Sequence, residues 1–284
     1  MFDFATPPPA WQLDTVLGIP QAQVLASAMQ LFSNRMAQPM VVAATLAAWE
    51  AIRHLLPTPV LVAGYSVGEL SAYAVAGALN GEQVLRLAAL RAELMNAQVK
   101  QNHPQAMSAI AGVGKQQLLA LITPHQIAIA IEISESNFII GGEVCGLQIV
   151  EPLLQQQGGS ITRLAVNIAS HTPHMQAAEK PFLAALSSSG MVDPQIPVLA
   201  GINASLIRDR NTAKQTLAAQ IAAPIQWAAC MDQFAENNIT VAIELGPGSA
   251  LSRMLSQRHP HIATRSIADF RTIDGFARWA GVRS

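Results

Sequence analysis

A serine between two glycines is the first group in this 284-residue sequence that could do chemistry. Gly64, Ser66 and Gly68 form a Gly-x-Ser-x-Gly pentapeptide between the apolar run at residues 60–63 and an apolar helical pattern. In a nucleophile elbow, such glycines allow a sharp strand-to-helix turn that raises the serine hydroxyl above the sheet. We therefore predict that Ser66 is a nucleophile and that the amide of Val67 donates to an oxyanion. A tight turn with serine as the helix N-cap is the alternative.

A nucleophilic serine needs a base, and the sequence offers seven histidines. His171 follows an apolar, strand-like run at residues 164–169 and precedes a helical pattern, so it is expected to face a cleft. His174 is its competitor, and a solvent-facing histidine at a helix start is the alternative for both. Three acidic residues further along are candidates for the third member of a catalytic triad, and they are Asp193, Asp209 and Glu244. None of them has a sequence context that marks it as that member. This gap argues against an ordinary esterase.

An arginine interrupts an otherwise apolar helical face. Arg91 shares this face with Leu87, Ala88, Leu90 and Leu94. Its side chain either extends along the face to reach solvent or turns inward to pair with a carboxylate. The residues alone leave both possibilities open.

The elements that must position these residues predict an α/β fold in two parts. Residues 60–63 have the short apolar character of a strand in a parallel sheet. The predicted strands further along cover residues 107–113, 127–133, 138–142 and 161–166, with helices at 115–122 and 146–157. This βαββαβ order is ferredoxin-like. We predict a hydrolase-like core with a parallel sheet over residues 1–102 and 167–284, and an inserted ferredoxin-like subdomain over residues 103–166.

Composition and charge exclude several classes of function. The chain is 51% hydrophobic, which excludes a mainly disordered protein. Its 17 Lys and Arg against 18 Asp and Glu leave no basic field for nucleic acid. No apolar run is long enough for a membrane span, and no secretory signal is evident. Cys145 and Cys230 lack metal-ligand spacing and are expected to be packing residues. We expect a cytoplasmic protein that binds no nucleic acid, membrane, metal or cofactor.

An ordered set of short blocks gives the sequence a family resemblance. The blocks are Ala37-Gln38-Pro39, Gly64-Tyr65-Ser66-Val67-Gly68-Glu69, Arg91-Ala92-Glu93-Leu94-Met95, Met107-Ser108-Ala109-Ile110-Ala111-Gly112-Val113, Ser170-His171 with Met175, Pro224-Ile225-Gln226-Trp227, and Glu244-Leu245-Gly246-Pro247-Gly248. Over residues 38–256 the chain resembles the malonyl-CoA:acyl carrier protein transacylase family. The resemblance implies an acyltransferase that works without a cofactor.

The resemblance implies a role for each matching residue. Ser66 would accept the acyl group, and His171 would act as the general base and later return a proton to the departing thiol. Arg91 would hold the free carboxylate of a malonyl group, and Gln38 would line the same pocket. The main-chain carbonyl of Gln220, rather than an acid, would orient His171. This arrangement accounts for the missing aspartate.

The tyrosine before the nucleophile departs from the family, which usually has histidine there. The elbow containing Tyr65 is similar to that of the transacylase subunit of bacterial malonate decarboxylase, so Tyr65 is expected at the substrate site. The expected partners are malonyl-CoA and either an acyl carrier protein or the carrier subunit of malonate decarboxylase. By charge alone, Arg163, Arg208 and Arg210 are candidate contacts for an acidic carrier, and a solvated surface is the alternative for each.

A second departure concerns the start of the chain. The family begins with a strand and a Gly-Gln-Gly-type loop whose amide completes the oxyanion hole, well before the position of Gln38. Residues 1–23 offer no substitute, so we expect a late start or a missing oxyanion donor. Two functions other than acyl transfer also remain open. One is an α/β-type serine hydrolase, which needs an acid behind His171 but not Arg91. The other is a weakened subunit that docks the carrier protein.

Overall fold

Helices and strands are interspersed along the chain in the computed structural model, which describes residues 33–281. The α-helices of this part are α1 (Asn34–Ile52), α2 (Gly68–Val75), α3 (Gly81–Asn96), α4 (Lys115–Ile122), α5 (Val144–Gln156), α6 (Gln176–Ser188), α7 (Arg210–Ala219), α8 (Trp227–Glu236), α9 (Ala250–Arg258) and α10 (Ile273–Gly281). The strands are β1 (Val62–Ala63), β2 (Gln105–Ala111), β3 (Ala128–Glu132), β4 (Asn137–Glu143), β5 (Ser160–Arg163), β6 (Val198–Leu199), β7 (Leu206–Ile207), β8 (Val241–Glu244) and β9 (Ala263–Ser266).

The strand that leads into the serine belongs to a mixed sheet with the order β1-β6-β7. β1 runs parallel to β6, with Val62 opposite Val198, whereas β7 runs antiparallel to β6. Only residues 200–205 join β6 to β7, and a parallel pair needs a crossover of about a dozen residues. The predicted parallel sheet is therefore found at β1 and β6, and β7 departs from it. The parallel pair β8 and β9 forms a separate sheet.

Residues 105–163 have the predicted βαββαβ order, with helix α4 at the predicted bounds. Their four strands are antiparallel and adopt the order β3-β4-β2-β5. One set of buried apolar side chains joins this sheet to α4 and α5, and it includes Ile110, Leu118, Phe138, Ile140 and Leu147. β5 ends at Arg163, before the predicted end at residue 166, and the N–H of Leu164 makes the last bond to β2, to the carbonyl of Met107 at 2.9 Å. The designation of this unit as ferredoxin-like stays a prediction.

The antiparallel sheet also contacts the rest of the chain along one edge. The N–H of Glu132 donates to the carbonyl of Ile225 at 2.8 Å, and the N–H of Ile225 donates to the carbonyl of Ala130 at 2.9 Å. On β4, a Cβ added to Gly141 would lie 3.2 Å from Cγ2 of Thr172. Glycine at this position therefore allows the loop that contains His171 to pack closely on the sheet.

Helices α1, α2 and α3 pack together over the mixed sheet. Their buried apolar residues include Val42, Leu46, Leu70, Leu85 and Ala88. A capping box fixes the start of α3, because Asn80 and Gln83 exchange side-chain to backbone hydrogen bonds of 2.8 and 2.9 Å. The start of α3 in turn sets the position of Arg91 three turns later.

The prediction of a missing N-terminal oxyanion loop falls on residues that lie outside the described range. Within residues 33–281, no helix combines the length and apolar character needed to cross a bilayer. The same part of the chain contains no group of three or more His, Cys, Asp or Glu residues that could hold a metal ion.

Candidate active site

The turn from β1 into α2 holds Ser66 in a conformation that few residues adopt. Its φ angle is +54°, in the left-handed region, where a residue other than glycine is strained by about 1–3 kcal/mol. The N–H of Gly68 donates to the carbonyl of Tyr65 at 3.0 Å, and the N–H of Glu69 donates to the carbonyl of Ser66 at 3.1 Å. The amide of Val67 lies just before these groups at the start of α2, where helix N–H groups are available to an anion.

The two glycines of the pentapeptide have different roles, which gives a first prediction. A Cβ on Gly64 would lie 2.1 Å from the backbone of Gly68 and Glu69, whereas a Cβ on Gly68 would meet nothing within 4 Å. We expect Gly64→Ala to lower the free energy of unfolding by at least about 3 kcal/mol, because backbone cannot move aside. The matched control Gly68→Ala should change it by less than about 1 kcal/mol. Urea denaturation measures both, and equal losses would contradict the prediction.

His171 lies against the serine and is held from behind by a backbone carbonyl. The distance from Ser66 Oγ to His171 Nε2 is 2.8 Å, and His171 Nδ1 lies 2.6 Å from the carbonyl oxygen of Gln220. A carbonyl can only accept, so Nδ1 carries the hydrogen and Nε2 is free to accept a proton from the hydroxyl. The backbone of His171, with φ of +60°, is fixed by its N–H donating to the carbonyl of Ile221 at 2.9 Å.

The imidazole of His171 is neutral over a wide pH range. Its pKa falls from the ordinary 6.5 to about 3 because the ring is buried and because the positive charge of Arg91 is close. The hydrogen bond to Gln220 favours the charged ring and offsets only part of this effect. A neutral imidazole with a free Nε2 can act as a base toward the hydroxyl of Ser66.

The segment before His171 is an irregular loop, although residues 164–169 have the apolar composition of a strand. Side-chain hydrogen bonds hold this loop where a sheet partner was expected. The N–H of Ala169 donates to Oε1 of Gln105 on β2 at 2.9 Å, and Oγ1 of Thr172 donates to the carbonyl of Ala169 at 2.6 Å. These bonds give the base a fixed position without regular secondary structure.

The competing candidates for the base and the acid have partners elsewhere. Nε2 of His174 lies 3.3 Å from the carbonyl oxygen of Gln126. Asp193 and Asp209 accept backbone N–H groups around the start of α7, and Glu244 accepts N–H groups at the start of α9. The structure therefore places the carbonyl of Gln220 behind His171, where a triad would have an acid.

The guanidinium of Arg91 turns inward, and only 2% of the residue is exposed. Nη1 donates to Oε1 of Gln38 at 2.6 Å, Nη2 donates to Oε1 of Gln220 at 3.2 Å, and Nη2 lies 3.5 Å from Oγ of Ser66. Burial lowers its pKa to about 10, and the nearby carboxyl of Glu69 opposes that change, so the guanidinium stays charged at neutral pH. A buried cation bonded to neutral amides beside a nucleophile can receive an anionic group.

Gln38 is fixed in one orientation at the contact between α1 and α3. Its Nε2 donates to Oδ1 of Asn34 at 2.7 Å. Nδ2 of Asn34 in turn donates to Oδ1 of Asn96 at 2.9 Å and to the carbonyl of Ala92 at 3.2 Å. Because the amide nitrogen of Gln38 is occupied in this way, its amide oxygen faces Arg91.

Tyr65 packs its ring against α8. The rings of Tyr65 and Trp227 meet edge to face, with centroids 5.2 Å apart and an interplanar angle of 88°. Burial raises the pKa of the Tyr65 hydroxyl far above its usual value, so the hydroxyl stays neutral. Tyr65, the residue before the nucleophile, therefore makes an aromatic contact with Trp227.

Glu69 is the site residue that sequence reasoning missed, although it belongs to the Gly64–Glu69 block. Its carboxyl group is fully buried, and Oε2 accepts from the N–H of Gly201 at 2.9 Å and from Nε2 of Gln220 at 2.5 Å. Among the described residues, Oε1 has no hydrogen-bond partner. Burial raises the pKa to about 7, against the opposing effects of the two donors and Arg91. The sequence signal that could have indicated this role of Glu69 is the presence of an acidic residue in the first turn of an apolar helix.

The raised pKa of Glu69 predicts a pH dependence of stability. The unfolded chain loses this proton near pH 4.5 and the folded protein only near pH 7, so the contribution present below pH 4.5 is lost as the pH rises to 7. This shift corresponds to about 3 kcal/mol. Glutamine cannot ionise, so Glu69→Gln should gain about 3 kcal/mol in unfolding free energy relative to the wild type over that rise. Urea denaturation across this window measures the difference, and a constant difference would contradict the prediction.

The predicted surface residues have mixed outcomes. Arg163 makes two hydrogen bonds to Glu151, of 2.9 and 2.7 Å, so it is not a free cation. Arg208 and Arg210 are exposed near the start of α7, and their contact with a carrier stays a prediction.

The two cysteines differ in burial. Cys230 is buried, as expected for a packing residue, whereas Cys145 is exposed. The packing role expected for Cys145 is wrong because its helix position faces outward.

Comparisons with known proteins identify the family of the chain. The family model described as "Acyl transferase domain" matches residues 12–269. The "Malonyl CoA-acyl carrier protein transacylase" of Mycobacterium bovis is 27% identical over 273 residues, which cover 94% of this chain and 89% of that protein. The protein of the same name from Bacillus subtilis strain 168 is 25% identical over 244 residues, which cover 84% of this chain and 77% of that protein.

A solved structure shows the same fold. The crystal structure of FabD from Acinetobacter baumannii superposes with a TM-score of 0.87 at 27% identity, and the match covers 95% of this chain and 88% of that one. The family match extends from before the first described helix to the segment after β9 and includes the whole serine–histidine–arginine site. The chain therefore belongs to the acyl transferase domain family and is an acyltransferase.

Proposed function

We propose that the protein transfers a malonyl group from malonyl-CoA to the thiol of an acyl carrier protein through a malonyl ester of Ser66. The observation that carries this proposal is the buried, charged guanidinium of Arg91 beside the Ser66–His171 pair. A hydrolase of neutral esters has no use for such a cation, whereas a dicarboxylic acyl group needs one. The names of the relatives in M. bovis and B. subtilis support the same substrates.

The first half of the reaction acylates the serine. Nε2 of His171 takes the proton of the Ser66 hydroxyl as Oγ attacks the thioester carbonyl of malonyl-CoA. The N–H of Val67, at the start of α2, donates to the oxyanion of the tetrahedral intermediate. The carbon–sulfur bond then breaks, and His171 gives its proton to the CoA thiolate. The carbonyl of Gln220 stabilises the imidazolium through Nδ1 while it lasts.

The second half returns the enzyme to its starting state. The thiol of the carrier protein attacks the malonyl ester, and its proton passes to Nε2 of His171. Collapse of the second tetrahedral intermediate breaks the ester bond, and the same proton returns to Oγ of Ser66. No acid is needed behind the histidine, because a carbonyl at 2.6 Å fixes the ring in the tautomer that both halves use.

Selectivity for a dicarboxylic acyl group follows from the position of Arg91. Nη2 lies 3.5 Å from Oγ of Ser66, so a carboxylate attached to the acyl chain can reach the guanidinium while its other end is bonded to the serine. The planar fork suits a bidentate carboxylate. Gln38 lines the pocket and keeps the fork oriented through its 2.6 Å bond to Nη1. An acetyl group would make no such contact.

We further infer that the carrier is the small carrier subunit of a malonate decarboxylase. Support for this finer assignment comes from Tyr65, which takes the place of the family's usual histidine and packs its ring on Trp227.

We also infer a hydrolase-like core with a ferredoxin-like insert at residues 103–166, supported by the antiparallel order β3-β4-β2-β5. Transfer assays with the decarboxylase carrier and with a fatty-acid acyl carrier protein, side by side, would test the carrier assignment.

Intact-protein mass spectrometry after brief exposure to malonyl-CoA tests the main proposal. We expect the wild type to gain the mass of one malonyl group, Ser66→Ala to gain none, and acetyl-CoA to give little adduct, because only malonyl offers a carboxylate to Arg91. Release of CoA without an adduct would indicate hydrolysis instead. Absence of both adduct and CoA release would refute the transfer and favour a role in docking the carrier protein.

A further inference from the structure

Gln220, just after α7, uses three polar groups on three different partners. Its main-chain oxygen accepts from Nδ1 of His171 at 2.6 Å, and its side-chain oxygen accepts from Nη2 of Arg91 at 3.2 Å. Its side-chain nitrogen donates to Oε2 of Glu69 at 2.5 Å. A shift of Gln220 would therefore move the supports of both the base and the arginine.

Glu69, one of these partners, is held at both its backbone and its carboxyl group. It lies in the first turn of α2, and its N–H donates to the carbonyl of Ser66 at 3.1 Å, so its backbone is part of the elbow. Its Oε2 also accepts from the N–H of Gly201, after β6, at 2.9 Å. A Cβ on Gly201 would lie 3.1 Å from Oε2, so glycine there leaves room for the carboxyl group. The carboxyl group is thus fixed relative to the nucleophile.

We propose that Glu69 is a positioning residue of the active site, which holds the side-chain amide of Gln220 and thereby orients both His171 and Arg91. This inference rests on the proposed function, because it assigns Glu69 to the same site. The holding contact is acceptance of a hydrogen bond by Oε2, which needs no negative charge. Oε1 has no partner in the described part of the chain, so a proton there leaves the Oε2 contacts unchanged.

Two substitutions distinguish the effect of the length of the side chain at position 69 from the effect of its charge. Glu69→Asp keeps the charge but withdraws the carboxylate from Gln220 by one methylene. Glu69→Gln keeps the length and an oxygen acceptor but removes the charge. Because misplaced supports of reacting groups commonly cost 10- to 100-fold, we expect Glu69→Asp to react at least about 10-fold more slowly than the wild type. Glu69→Gln should restore the rate to within about threefold.

Two measurements report on the two groups that Gln220 holds. The rate at which phenylmethanesulfonyl fluoride modifies Ser66, followed by intact-protein mass, reports on His171 without any acyl donor. The ratio of kcat/KM for malonyl-CoA to that for acetyl-CoA reports on Arg91. If Glu69 positions both groups through Gln220, Glu69→Asp should lower the sulfonylation rate of Ser66 and the kcat/KM ratio, each measured per folded molecule. A merely structural role would lower the melting temperature and leave both unchanged. Ser71→Ala is the matched control, because its buried hydroxyl on α2 has no hydrogen-bond partner among the described residues.

Three results would overturn the proposal. They are wild-type behaviour of Glu69→Asp, equal losses in Glu69→Asp and Glu69→Gln, and losses of the same size in Ser71→Ala. If Glu69→Asp does not fold, Gly201→Ala takes its place, because its Cβ would push on Oε2 without changing the acid. A wild-type rate in that variant would also overturn the proposal.

The same experiment keeps the two proposals apart. A wild type that is sulfonylated at Ser66 but accepts no malonyl group would refute the proposed transfer, and the sulfonylation rates would still decide the role of Glu69. A wild-type serine that reacts with neither reagent would overturn both proposals.

Discussion

Replacing His171 with alanine is expected to lower the rate of Ser66 acylation by about 10⁴-fold or more, because no other side chain within residues 33–281 is placed to take the hydroxyl proton. The ring nitrogen lies 2.8 Å from Oγ, and its buried environment keeps it unprotonated at neutral pH. Among the described residues, the competing acids and His174 contact other partners, so no nearby side chain can substitute. Rapid-quench measurement of acyl-enzyme formation from malonyl-CoA would give the rate.

His174→Ala is the matched control for this prediction. It removes the same side chain three residues away on the same segment, and its ring contacts the carbonyl of Gln126 rather than the serine. We expect the control to keep a rate within about threefold of the wild type, since changes away from the reacting groups have small effects. Equal rates for His171→Ala and the wild type would rule out His171 as the base.

The local parts of the site were predictable from sequence because short-range geometry determines them. The glycines around Ser66 and the apolar runs on either side specify a strand, a turn and a helix within a few residues. Helix α4 also appears at its predicted bounds, where Gly114 precedes it and apolar residues follow at helical spacing. In both places, neighbours along the chain supply the contacts that decide the structure.

The remainder of the site depends on contacts between distant residues, which no local pattern encodes. His171 meets Ser66 across 105 positions, and Glu69 meets Gln220 across 151. The loop before His171 has the apolar composition of a strand, yet the side chain of Gln105 and the small surface at Gly141 hold it as an irregular loop. Tertiary contacts therefore override the local preference there.

Family resemblance supplied the carbonyl of Gln220, because a main-chain group leaves no residue-type signal. The inward orientation of Arg91 was one of two possibilities that the helical pattern left open. Its partners Gln38 and Gln220 lie 53 and 129 positions away, and neither is acidic. A search for a buried arginine hydrogen-bonded to an acid would therefore have missed it, because the nearby carboxyl group of Glu69 makes no ion pair with the guanidinium. Neutral amides orient the guanidinium while leaving its charge for a ligand.

Arg91→Ala is expected to lower kcat/KM for malonyl-CoA by about 10³-fold, which corresponds to about 4 kcal/mol. The loss should be small for acetyl-CoA, because that substrate offers no carboxylate. Arg91→Lys keeps a cation but cannot bond Gln38 and Gln220 together with a bidentate carboxylate, so it should recover only part of the loss. Steady-state transfer to the carrier protein, measured with both donors, gives the ratio.

Arg86→Ala on the same helix is the matched control, because Arg86 is exposed and pairs with Glu82 one turn earlier. Arg86→Ala should leave kcat/KM unchanged for both malonyl-CoA and acetyl-CoA. An exposed ion pair of this kind contributes at most about 1 kcal/mol to stability, and Arg86 does not contact the active site. If Arg91→Ala slows both donors equally, the arginine supports the structure of the site and does not bind the carboxylate. If it slows only malonyl transfer, the charge in the pocket selects the substrate, and the surrounding amides are what keep that charge available.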